Sequence, residues 1–175
     1  FLKVFEGGHA FSDWALFAHA TRIVCPLALY FFIQGPSPAV KQKVSVILLR
    51  LATACTFAVH GTEALFHHPT FVDYIIRAGD IFLEKAITQP FAHLILNAIG
   101  AMDILLATLI MVRPRWKWPL AFMVIWGIIT AGSRIVFMGN FGMADFLIRV
   151  PNSGAPLALL LCLVLQQQYT MRKLK

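Results

Sequence analysis

The chain has 175 residues, enough for one compact unit. It is 59% hydrophobic and 13% charged, against roughly half apolar and a quarter charged for a soluble domain, so lipid is its expected solvent. The net charge of +7 comes from short basic clusters between long apolar runs, a membrane-loop pattern that argues against a nucleic-acid partner. Cys25, Cys55 and Cys162 all fall inside apolar runs, which excludes a disulfide framework, and no CxxC or CxxCH motif occurs.

Taken in order, the apolar runs predict about five membrane spans. The first covers about 14–34, from Trp14 to Gln34, and ends at the breaker Gly35-Pro36-Ser37-Pro38. The second covers 44–66 and stops at His67-His68-Pro69. Residues 70–87 are too polar to cross lipid. There Phe71, Ile75 and Phe82 recur at helical spacing, with Asp73, Arg77, Asp80, Glu84 and Lys85 on the rest of the turn. This reads as an amphipathic helix lying in the interface, or as an ordinary solvated loop helix. The third span covers 90–112, the fourth 118–138 after a basic turn at Arg113 to Lys117, and the fifth 155–167. The expected fold is therefore all-α: one membrane domain over residues 1–175, a four-helix core plus one span.

Five crossings place Lys41, Lys43, Arg113, Arg115, Lys117, Arg172, Lys173 and Lys175 on one side. The other side holds four basic residues, Lys3, Arg77, Lys85 and Arg149, mixed with Glu6, Asp13, Asp73, Asp80, Glu84 and Asp145. Basic loops face the cytoplasm, so the N-terminus is expected outside and the C-terminus inside a bacterial inner membrane. Trp14, Trp116 and Trp118 then fall at span ends, where amphipathic rings are favoured.

Several costly side chains remain within the spans. A charge at mid-membrane costs at least about 2.5 kcal/mol, so each should face the bundle interior and find a partner. The topology puts His19, Arg22, His60, Glu63, His93 and Arg134 in the outer part, Asp103 near the middle and Arg50 towards the inner side. A buried polar network of His19, Arg22, Glu63 and Asp103 is one reading, with Glu63 paired to Arg134 or Arg22. A quinone-like or lipid ligand is another, with His60, His93 and Arg134 as donors beside Phe57, Phe66 or Trp126. His60, Glu63 and His67, spaced three and then four apart, also form a ligand set for a metal. A haem would need two axial histidines at matching depth, such as His60 with His93 or His19 with His60.

The stretch Leu49 to Tyr74, LRLATACTFAVHGTEALFHHPTFVDY, resembles the DoxX-like family of small bacterial membrane proteins. So does Asp103 to Met138, an acidic residue in an apolar helix followed by a short basic turn and another span; the likeness runs mainly over 49–168. The resemblance implies a four-helix core and a place as an accessory subunit in a redox-linked membrane complex with quinone chemistry. The expected partners are membrane lipid and the other subunits of such a complex. The competing classes are a stand-alone metalloenzyme and a purely structural, lipid-binding subunit.

Overall fold

The computed structural model describes residues 14–35 and 37–173, and every regular element among them is helical. Lys3, Glu6, Asp13 and Lys175, which enter the charge balance, lie outside the described residues. A single turn, α1 (Ala15–Ala18), leads into α2 (Ala20–Gln34); then come α3 (Pro38–Leu65), α4 (Pro69–Ala78) and a π-helical turn at Gly79–Leu83. After these follow α5 (Gln89–Val112), α6 (Trp118–Met138), a 3-10 turn at Gly139–Phe141 and α7 (Gly142–Lys173). Proline occupies the first turn of α3, α4, α5 and α6, where its missing N–H would have no helical partner anyway.

Among the described residues three stretches are long and apolar enough to cross a membrane: Val40–Leu65, Gln89–Val112 and Trp118–Tyr169; Ala20–Gln34 is apolar but shorter. The third is 52 residues long. At about 1.5 Å per residue that is more than twice a hydrocarbon core of about 30 Å, so it cannot run straight through one bilayer. It folds back at Gly139–Phe141, and α6 and α7 pack side by side along their length. Gly142 makes that turn tight, because a Cβ there would collide with the carbonyl oxygen of Arg134.

Two features depart from the sequence expectation. His19, at φ −105° and ψ 14°, interrupts the first run and separates α1 from α2. The last helix begins at Gly142, well before the expected 155. Hydropathy discounts its start because Asp145, Arg149 and Asn152 are polar. Spaced four and three apart, they share one helical face that turns into the bundle, so the helix is amphipathic there, not absent.

Neighbours α2 and α3, α3 and α5, and α6 and α7 are antiparallel. One end of the bundle is filled by Phe57 of α3, Leu106, Ala107 and Ile110 of α5, Leu120 and Met123 of α6 and Leu159 of α7. Arg50 at this end donates to the Pro114 carbonyl at 3.4 Å, in the turn that joins α5 to α6. Towards the other end, α3 and α5 touch backbone to backbone. A Cβ on Gly61 would lie 2.8 Å from the Gly100 carbonyl oxygen, and one on Gly100 would lie 2.6 Å from that of Gly61. Helices approach this closely in lipid only through small residues.

Gly100→Ala is expected to push α3 and α5 apart and to destabilise the protein by about 1–3 kcal/mol. Gly154→Ala on α7 is the control, since nothing lies within 4 Å of its Cβ position. Thermal unfolding in mild detergent should drop for the first and hold or rise for the second.

Candidate functional site

At the α4 end of the bundle the helices separate. Helices α5 and α6 contact each other little, and α4 with the π turn lies across the gap between them. Beneath is a cavity of ≈ 1360 Å³ with mostly apolar walls, larger than the roughly 300–1,000 Å³ of ordinary small-molecule pockets. Helix α4 lies flat because its residues divide. Phe71, Tyr74 and Ile75 face the cavity and Val72 is buried, while Asp73 and Arg77 are exposed. This is the amphipathic helix expected from residues 70–87.

The polar groups of the cavity come from four helices. On α3, His60 Nδ1 and Glu63 Oε2 meet at 2.9 Å, and Glu63 is only 7% exposed. Across from them Asp103 of α5 is 5% exposed, with Trp126 of α6 as its hydrogen-bonding neighbour and Oδ1 left without a partner. Arg134 of α6 is 7% exposed; its guanidinium carbon sits 4.0 Å above the ring centre of Tyr74, and that ring in turn stacks on Phe137. Arg149 of α7 donates to the Asp145 carbonyl at 3.2 Å and lies 3.7 Å from its carboxylate.

A buried tie closes the floor of the site. The break at His19 leaves the Thr21 N–H without a helical acceptor, and Thr56 Oγ1 of α3 accepts it at 3.2 Å. Thr21 Oγ1 donates to Asn152 Oδ1 at 2.7 Å, so one threonine links α2, α3 and α7. All three side chains are buried. In a medium without water each would otherwise be an orphan.

The predicted residues divide between two places. His19, His60, Glu63, Asp103 and Arg134 line the cavity together. His93 does not: it stacks on His67 with ring centres 4.0 Å apart, against a separate cleft of ≈ 330 Å³ under the start of α4. The pairing of His60 with His93 as two donors to one ligand, or as two haem ligands, is therefore not formed. His60, Glu63 and His67 do not come together either. Helix α3 ends at Leu65, and His67 adopts φ 53°, which turns its ring away to Asn97 at 2.9 Å. Among the described residues no three His, Cys, Asp or Glu side chains gather to hold a metal. Glu63 pairs with His60, three residues before it and therefore on its own helix face, and not with Arg134 or Arg22; the second ion pair among the described residues is Arg149–Asp145.

No family model matches the chain, and neither does any curated protein or solved structure. The site therefore speaks through its geometry.

Sequence reasoning missed Arg149, Asn152, Thr21 and Tyr74. Polar residues at 145, 149 and 152, on one face of a helix, were the readable signal for two of them. The tie predicts a coupling. Asn152→Ala should cost about 1–3 kcal/mol by stranding the Thr21 hydroxyl, and Thr21→Val combined with Asn152→Leu should cost less than the sum of the two. Unfolding measured over the double-mutant cycle checks this; strict additivity would show the two side chains to be independent.

Proposed function

We propose that this chain is a small membrane subunit that holds an amphiphilic ligand, a quinone or a lipid, in the cavity beneath α4. The observation that carries the reading is the cavity itself: ≈ 1360 Å³ of mostly apolar space with a few convergent polar groups, His60–Glu63, Asp103 and Arg134, at one level. An amphiphile needs an apolar slot for its body and donors for its head. The limited contact between α5 and α6 supplies a lateral way in from the bilayer, and α4 with Tyr74 closes over it.

In this reading α2, α3, α5, α6 and α7 are five crossings of a bacterial inner membrane, with the N-terminus outside and the C-terminus in the cytoplasm. With Arg149 inside the bundle, the basic residues of the outer side are Lys3, Arg77 and Lys85 against eight opposite, and the inward bias sharpens. The cavity then lies in the outer leaflet. A place within a redox-linked complex, beside other subunits, follows from the DoxX-like resemblance and from nothing else.

Purified in neutral detergent, the chain is expected to release about one quinone or phospholipid per protein on solvent extraction. His60→Gln, which keeps a hydrogen-bond donor beside the buried Glu63, should lower that yield several-fold while leaving the unfolding temperature within a few degrees. Absence of any amphiphile from the wild type, together with no binding of added quinone or lipid, would remove this function. Single cysteines at Ser37 and Asn140, in a background lacking Cys25, Cys55 and Cys162, should label from opposite sides of the membrane. Labelling of both from one side would contradict the five-span arrangement.

A further inference from the structure

Two guanidinium groups from different helices, Arg134 of α6 and Arg149 of α7, line the cavity. Arg22 of α2, Arg134 of α6 and Arg149 of α7 stand close enough for their charges to act on one another. The carboxylates that line the cavity with them are Glu63, Asp103 and Asp145, and neither Glu63 nor Asp103 forms an ion pair with an arginine among the described residues. Glu63 is already engaged by His60, and Asp145 lies 3.7 Å from one guanidinium. Arg134 is therefore a buried guanidinium with no carboxylate partner among the described residues. The donors are also unspent. Nε of Arg134 and both Nε and Nη2 of Arg22 are buried with no hydrogen-bond partner, and Arg134 lines the cavity at 7% exposure.

We infer that Arg134 and Arg149, backed by the charge of Arg22, form an anion site that takes the phosphate-class head of a lipid whose apolar body fills the rest of the cavity. This rests on the cavity being a ligand site, as proposed above, and it selects between the two amphiphiles. A quinone ring carries no formal charge and would leave the Arg134 guanidinium without a counter-charge. A phosphate offers several oxygens to planar forks arriving from different directions, which is the geometry guanidinium groups serve best. The size of the space separates a lipid from a bare ion: ≈ 1360 Å³ of mostly apolar lining extends from the arginines to Leu96 and Ile99 of α5. Tyr74 fixes the third dimension. Its ring lies 4.0 Å from the Arg134 guanidinium, so one face of the fork rests on an aromatic surface.

The test uses the full chain in neutral detergent, titrated with phosphatidylglycerol, with diacylglycerol of the same acyl chains, and with inorganic phosphate. Thermal unfolding and native mass spectrometry report binding. The wild type should bind phosphatidylglycerol at least about tenfold more tightly than diacylglycerol, the discrimination expected of charge-assisted hydrogen bonds in a dry site. Arg134→Gln and Arg149→Gln should each abolish that preference, and Arg134→Lys should keep part of it, since it preserves the charge and loses the fork. Arg77→Gln on the exposed face of α4 removes one charge from the same end of the bundle and should leave the preference intact. Using two arginines on different helices guards against a variant that fails to fold. Should inorganic phosphate alone stabilise the wild type and not Arg134→Gln, the anion site stands and its occupant is the free ion. Equal binding of diacylglycerol and phosphatidylglycerol by the wild type overturns the anion site but leaves the cavity as an apolar ligand site. Binding of neither overturns both.

Discussion

The backbone contact between Gly61 and Gly100 sets the geometry from which the rest follows. Two helices whose carbonyl oxygens stand where each other's Cβ would be have no room for adjustment at that level. Such proximity suits lipid, where dispersion and weak Cα–H···O contacts must replace the hydrophobic drive that water would supply. With α5 drawn onto α3, it is not available to cover α6, and the space between α5 and α6 opens towards the α4 end. Asp103 sits one turn from Gly100, its Cβ 3.0 Å from where a side chain on Gly61 would begin. The same contact that closes one interface thus brings a buried carboxyl to the edge of the other.

The two ends of the bundle solve different problems. The end holding Phe57, Leu106, Met123 and Leu159 is a close-packed apolar core, with Arg50 disposed at its margin on a loop carbonyl. The α4 end carries the polar groups, and it meets their cost in two ways. Some are paired inside the protein: His60 with Glu63, and Thr21 with Thr56 and Asn152. Others, the Arg134 guanidinium and the Asp103 carboxyl, line the cavity without an ion-pair partner among the described residues. Helix α4 belongs to both solutions, since its apolar face roofs the space and Tyr74 covers the Arg134 guanidinium.

Periodicity and hydropathy alone reach the helical class, the apolar stretches and the amphipathic helix that covers the cavity. They do so because a chain without water must satisfy its backbone locally, and the length of an apolar run is then tied to bilayer thickness. The start of the last helix escapes them. Averaging hydropathy over a window hides a helix with a polar face turned inward, as Asp145, Arg149 and Asn152 are.

What the sequence by itself determined is which residues are expensive in lipid and which apolar run each belongs to. The tertiary structure alone decided which of them meet. His60 and His93 face different spaces, because α4 and the turn at His67 stand between the two clefts. His67 lies at ligand spacing from Glu63, yet it leaves the face because the helix stops at Leu65. Glu63 takes His60 as its partner over any arginine, since a neighbour one turn away on the same helix is held in place by the backbone itself. Which run holds a residue can be read along the chain. Facing is a property of helix rotation, fixed here by two glycines and a threonine that carry no signal of their own.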